Sequence, residues 1–79
     1  MKVKVRLFAT YREKVGRGEL EMEVEEGATI GTVAQRLEKD FPQLRLRPLI
    51  AALNSQYVEP DALLREGDEV AFLPPMSGG

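Results

Sequence analysis

The chain has 79 residues, of which 43% are hydrophobic and 30% charged, a composition typical of one small globular domain with a modest core. A formal net charge of -2 argues against nucleic acid as the main partner. The absence of cysteine and histidine excludes a disulfide, a thiolate nucleophile and the commonest general base, and we expect no metal site. No apolar run approaches the ~20 residues that span a bilayer, so we expect a cytoplasmic protein that binds no membrane.

The chain begins with two alternating segments that predict half-buried strands. From Lys2 to Leu7, valines and leucine alternate with basic residues, and from Glu19 to Glu25 apolar residues alternate with glutamates. The basic row and the acidic row are expected to lie opposite each other in an antiparallel hairpin, which helps to fix its register. The glutamates are interpreted as a solvated face, since carboxylates spaced along one strand diverge and do not converge on a metal.

Phe8 interrupts the first pattern, because by parity it falls on the charged face. Two interpretations are open. In the first, the strand ends or bulges and Phe8 turns back into the core. In the second, Phe8 is an exposed aromatic anchor for a partner.

A capped amphipathic helix is predicted in the middle of the chain. Residues 10–15 are read as a short helical turn before it. Thr29 is a good N-cap, and Pro42 ends the helix after about eleven residues. A single apolar stripe would pack on the sheet: Ile30, Val33, Ala34, Leu37 and Phe41.

The second half of the chain predicts short strands joined by loops. Gln43–Pro48 is read as a loop whose two arginines face solvent or an acidic partner. The apolar run Leu49–Leu53 is read as a buried strand, and Tyr57-Val58 as a short returning strand. Leu63 and Leu64 are expected to cap one end of the core.

The last strand is predicted from Val70 to Leu73, beside the first strand. Val70 and Phe72 would face the helix, and Leu73 the opposite side. The predicted architecture is an α+β β-grasp domain over residues 1–75: a mixed sheet of four to five strands with one main helix across one face. The other face would carry an exposed apolar patch of Phe8, Leu73 and Tyr57.

Residues 76–79 are predicted to form a flexible C-terminal tail after two prolines. Pro74-Pro75 cannot continue a ladder, and Ser77, Gly78 and Gly79 carry almost no side chain. Five extended residues beyond Pro74 reach roughly 17 Å. We expect this tail to enter a narrow channel and deliver its terminal carboxylate, while the folded domain presents it.

The chain resembles a known family over essentially its whole length, and two segments carry most of the resemblance. The segment Phe8-Ala9-Thr10-Tyr11-Arg12-Glu13 and the ending from Gly67 to Gly79 (GDEVAFLPPMSGG) are similar to those of the small subunit of molybdopterin synthase (MoaD). The helix capped at Thr29 and the segment Ala51-Ala52-Leu53-Asn54 also fit. The resemblance implies a ubiquitin-like sulfur carrier with the β-grasp fold.

The resemblance also implies a chemistry and a set of partners. A ubiquitin-activating-type adenylating enzyme would use ATP to adenylate the Gly79 carboxylate, which then becomes a thiocarboxylate, and no cofactor would be stably bound. The tail would enter the large subunit of the synthase, which carries the catalytic groups, and the sulfur would pass to a pterin precursor within a heterotetramer. Phe8, Tyr57 and Leu73 match positions that dock on the large subunit, and Arg12 matches a basic position that contacts partners.

Other interpretations of the same tail remain open. A related carrier would deliver sulfur to the thiazole of thiamin, a tRNA base or an amino-acid precursor. A protein modifier would be conjugated to lysines through Gly79. A plain interaction domain would leave the tail idle.

Overall fold

The alternating pattern near the start of the chain forms the first strand of a five-stranded sheet. In the computed structural model, which describes residues 1–75, Val3, Val5 and Leu7 are buried while the basic residues between them are exposed. Successive side chains of a strand lie on opposite faces, so this strand has one core face and one wet face. In chain order the elements are β1 (Lys2–Leu7), α1 (Ala9–Val15), β2 (Glu19–Glu23), α2 (Ile30–Asp40), β3 (Ala51–Leu53), β4 (Gln56–Val58) and β5 (Glu69–Phe72).

The strands are ordered β2-β1-β5-β3-β4 across the sheet. β1 and β5 run parallel, while the other neighbouring pairs are antiparallel. α2 lies against one face, and its buried residues share a single core with those of the strands. This is the β-grasp arrangement, so the predicted fold class and the position of the last strand beside the first are confirmed.

The basic and acidic rows lie opposite each other, as predicted. Lys2, Lys4 and Arg6 are paired in register with Glu23, Glu21 and Glu19 respectively. Two ion pairs within 4.0 Å are found among residues 1–75, and neither joins the two rows: one links Arg6 to Glu69, the other the Met1 amino group to Glu23. The two rows therefore contribute to the strand register as solvated charges. Burial of the opposite, apolar face determines which side of the hairpin faces the core.

The predicted helix cap and apolar stripe are both present in α2. Thr29 accepts a hydrogen bond from the Thr32 backbone N–H at 3.2 Å, and the Thr32 side chain accepts one from Thr29 N–H, also at 3.2 Å. Ile30, Val33 and Ala34 are buried with Leu37, and Phe41 follows the helix as a partly buried C-cap. The cap sets where the helix begins, and the stripe sets which face it turns to the sheet.

Several side chains in the second half of the chain lie differently from the prediction. Leu63 does not cap the core: it is 66% exposed, whereas its neighbour Leu64 is buried. The physical reason is local extended backbone, because Leu63 forms an isolated bridge with Thr29 and consecutive side chains then lie on opposite sides. The loop at residues 43–48 contributes Leu44 and Leu46 to the core, with Arg45 and Arg47 exposed between and after them.

The third strand is shorter than predicted. β3 begins at Ala51, two residues later than predicted, although Leu49 still packs against the core. The tail predicted at 76–79 lies outside the described residues, so its separation from a domain ending at residue 75 stays a prediction.

Tyr11 gives the stability of this fold a pH dependence that can be measured. It is buried on α1, and burial, with a smaller effect from the Glu38 carboxylate, raises the pKa of its phenol above the ordinary value of 10.0. The fold thus favours the neutral phenol. The resulting contribution to the free energy of unfolding is fully present below the unfolded-state pKa and is lost as pH rises through the folded-state pKa. We expect wild-type stability in urea to fall above about pH 10 more steeply than that of Tyr11→Phe. Parallel profiles for the two proteins would contradict this.

Candidate functional site

A groove lies on the face of the sheet opposite α2. One line of register partners crosses this face: Arg6 on β1 is paired with Ala71 on β5, Ala71 with Ala52 on β3, and Ala52 with Tyr57 on β4. Two alanines therefore lie between larger side chains on either side. Small residues in the middle of a sheet and large ones at its margins produce a depression, whose volume is about 220 Å³.

The groove brings together three of the four side chains predicted to bind a partner. Phe8, Tyr57 and Leu73 all line it. Its remaining lining consists of Arg6, Ala52, Ser55, Glu69 and Ala71.

Most of the large exposed apolar side chains lie at this groove. Phe8 is 36% exposed and Tyr57 75%, and the other large hydrophobic side chain exposed among residues 1–75 is Leu63. A concentration of exposed apolar groups beside a depression marks an interaction surface more often than single scattered residues do. We call this surface the groove face and define it by Phe8, Tyr57, Leu73 and the two alanines of the floor.

Phe8 stays on the exposed face because its backbone remains extended. It follows β1 directly and is the N-cap of α1, with φ of -122° and ψ of 155°. The strand parity therefore continues through Phe8, and the chain turns into the helix only after it. The interpretation of Phe8 as a residue that turns back into the core is wrong, and the exposed position is the observed one.

Leu73 connects the groove to the start of the tail. It lies one residue beyond β5, where its backbone N–H donates to the Ile50 carbonyl at 3.1 Å. Pro74 is half-buried and Pro75 exposed. The chain thus leaves the sheet at the edge of the groove, and the predicted tail residues Ser77 and Gly78 and the predicted working residue Gly79 follow outside the described residues.

Arg12 lies apart from the groove. It is exposed on α1, and its side chain packs over Gly18, where an added Cβ would come within 3.2 Å of the Arg12 Nε. It is not among the residues lining the groove. Its role in contacting partners stays a prediction and would concern a separate part of the surface.

Asn54 holds one side of the groove in place, which the sequence reasoning missed. Its Oδ1 accepts a hydrogen bond from the Glu69 N–H at 3.0 Å, and its Nδ2 donates to Asp68 Oδ1 at 3.0 Å. Its own N–H donates to the Glu69 carbonyl at 2.8 Å. Asn54 and Ser55 have φ of 48° and 74°, so they form the tight turn between β3 and β4. The turn that carries Ser55 and Tyr57 is thereby fixed to the start of β5.

We expect Asn54→Ala to destabilise the fold by about 1–3 kcal/mol, because it removes two side-chain hydrogen bonds and a residue type that tolerates positive φ. Ser55→Ala is the matched control, since Ser55 shares the turn and the positive φ but makes no side-chain hydrogen bond to residues 1–75. Urea unfolding measures both. Equal midpoints for the two variants would contradict the proposed clamp.

Two other depressions lack these features. One of about 370 Å³ lies near the start of α2 and includes Thr32 and Arg36, and one of about 130 Å³ lies between α2 and the loop containing Arg47. Neither is lined by a large exposed apolar side chain of residues 1–75. In the same range, no group of acidic side chains has the arrangement of a metal site, and no helix is long and apolar enough to cross a membrane.

Comparison with known proteins gives the family. The model of the ThiS family matches residues 5–79. The chain is 37% identical to a molybdopterin synthase sulfur carrier subunit of Chlamydomonas reinhardtii and 32% identical to small archaeal modifier protein 3 of Haloferax volcanii, in each case over 100% of both chains. Its structure superposes on the crystal structure of SAMP1 from Haloferax volcanii with a TM-score of 0.87, at 27% identity and 100% coverage of both chains. The chain therefore belongs to the ThiS family of ubiquitin-like sulfur carriers.

Proposed function

We propose that this chain is the sulfur-carrier subunit of a molybdopterin synthase. The observation that carries the proposal is the position of the groove face, with Phe8 and Tyr57 exposed and Leu73 at the root of the tail. The choice of pathway is supported by the molybdopterin synthase sulfur carrier subunit of Chlamydomonas reinhardtii, which matches this chain over the whole length of both. In this account the groove face docks the carrier and the tail delivers the sulfur.

The chemistry takes place at the Gly79 carboxylate. A carboxylate is a poor electrophile, so an adenylating enzyme of the ubiquitin-activating type first joins it to the α-phosphate of ATP, and pyrophosphate leaves. Hydrosulfide then attacks the acyl carbon and AMP leaves, which gives the thiocarboxylate with no change of oxidation state. The chain contains no cysteine and no histidine, which fits the assignment of the catalytic groups for these steps to its partners.

The docked complex places this sulfur at a distant acceptor. Phe8, Tyr57 and Leu73 bury apolar surface against the large subunit, while Arg12 contacts a partner from its separate position on α1. Residues 74–79 span at most about 20 Å when extended, and the two terminal glycines suit a narrow channel. The acceptor is a pterin precursor, and two deliveries complete a dithiolene. The assembly is a heterotetramer that works in the cytoplasm, where ATP is available.

A second candidate function is protein modification through Gly79. It is favoured by the relative named small archaeal modifier protein 3 and by the superposition on SAMP1. The activated carboxyl group would then be attacked by a lysine amine, which gives an isopeptide in place of a transferred sulfur. Both functions require the same adenylation, so the test must follow the fate of the carboxyl group.

A single-turnover reaction distinguishes these fates. Chain carrying a Gly79 thiocarboxylate is mixed with the large subunit and pterin precursor, and both the chain and the pterin are followed by mass spectrometry. Our account predicts loss of sulfur from the chain together with its gain by the pterin. Retention of the sulfur with this acceptor, or isopeptide-linked forms as the main product in cell extract with ATP, would contradict it.

A further inference from the structure

Arg6 is the only cationic side chain lining the groove, within the part of the chain that the structure describes. Its guanidinium carbon lies 5.3 Å from the centre of the Phe8 ring, and its Nη1 lies 3.7 Å from Glu69 Oε2. The side chain is 45% exposed, and it donates no hydrogen bond to residues 1–75. Its two close polar or aromatic partners are therefore Phe8 and Glu69.

This arrangement restricts Phe8 before any partner is present. Phe8 sits at the end of β1, with no strand residue beyond it on the same face to support the ring. A guanidinium stacks well on an aromatic face, and its aliphatic stem covers apolar surface. Glu69 lies on the neighbouring strand β5, where it is the register partner of Lys4, so the guanidinium of Arg6 is held between the Glu69 carboxylate and the Phe8 ring.

We propose that Arg6 is a positioning residue for docking, held by Glu69 and acting through Phe8. The inference rests on the proposed function, because it assigns a role within the same docking step. Restricting an anchor side chain in its bound orientation reduces the ordering cost on association. Arg6 then increases affinity without itself contacting the partner, and the Phe8 edge that faces the groove remains free to be buried.

A double-mutant cycle tests this mode of action. Affinity for the large subunit is measured by calorimetry for wild type, Arg6→Gln, Phe8→Ala and the double variant. We expect Arg6→Gln to weaken binding about three- to fivefold in the wild-type background and by less than about 1.5-fold in the Phe8→Ala background. The same loss in both backgrounds would show direct contact between Arg6 and the partner and would overturn the proposal, as would unchanged affinity of Arg6→Gln.

Lys2→Gln is the matched control, since Lys2 lies on the same face of β1 but neither lines the groove nor is paired with Glu69, the register partner of Lys4. It should bind within about 1.5-fold of wild type. A loss equal to that of Arg6→Gln would indicate a general charge effect and would contradict a positioning role.

NMR of the free chain separates this proposal from the proposed function. Ring current from Phe8 should shift the Arg6 side-chain protons upfield, and both Phe8→Leu and Glu69→Gln should reduce that shift. Unchanged Arg6 shifts in Phe8→Leu would overturn the positioning role whatever the partner does. If the shifts behave as expected but Phe8→Ala binds the large subunit as wild type does, the docking surface of the proposed function is wrong and the positioning role fails with it.

Discussion

Deletion of Gly79 is expected to abolish sulfur transfer and to leave docking on the large subunit nearly unchanged. The deletion moves the terminal carboxylate back by one residue, about 3.5 Å along an extended chain. Misplacement of a reacting group by even 1 Å costs on the order of 100-fold in rate, so we expect a loss of at least that size. The groove face is unaffected, because its residues end at Leu73.

Two measurements on the same preparation check this separation. Calorimetry gives the affinity for the large subunit, and product formation from the pterin precursor gives the turnover. Ser77→Ala, which keeps the tail length, is the control and should retain most of the activity. A deletion variant that still converts the precursor would contradict the role assigned to Gly79.

Leu73→Glu is expected to weaken binding to the large subunit by at least about 30-fold, which corresponds to roughly 2 kcal/mol. Leu73 is half-buried at the junction of groove and tail, where docking would cover it. A carboxylate there would lose its hydration on docking, and Arg6, the one cation that lines the groove among the described residues, is already paired with Glu69. Phe8→Ala acts in the same direction by removing an apolar anchor.

Leu63→Glu is the matched control for Leu73→Glu. Leu63 is the same residue type, is exposed, and lies beside the start of α2, away from the groove. It should bind the large subunit as wild type does. Circular dichroism establishes that both variants are folded, and wild-type affinity of folded Leu73→Glu would rule out the groove face as the docking surface.

Much of this fold could be predicted because its signals are local. The alternation in Lys2–Leu7 follows from strand geometry alone, and Thr29 and Pro42 mark the two ends of α2 by their effects on the backbone. The place of β5 beside β1 followed from its apolar character. These elements also put Phe8 and Leu73 on one face, so the main members of the groove face could be predicted.

The remaining features depend on neighbours that are distant in sequence. The alanine floor exists because Ala71 and Ala52 are register partners on β5 and β3, and no local pattern contains that pairing. The contact of Arg6 with Glu69 likewise joins residues near the two ends of the chain, and Asn54 and Asp68 are 14 positions apart. The prediction that Leu63 caps the core was wrong because hydrophobicity alone does not distinguish two adjacent leucines in extended backbone.

The central claim is that the Gly79 carboxylate is the working group, and an intact-mass measurement tests it most directly. The chain is incubated with the activating enzyme of its host, ATP and a sulfur source, and the product is fragmented to locate any change. The account predicts exchange of one oxygen for sulfur at Gly79, dependent on ATP. An unmodified chain, in the presence of an enzyme shown to be active on another carrier, would contradict the account.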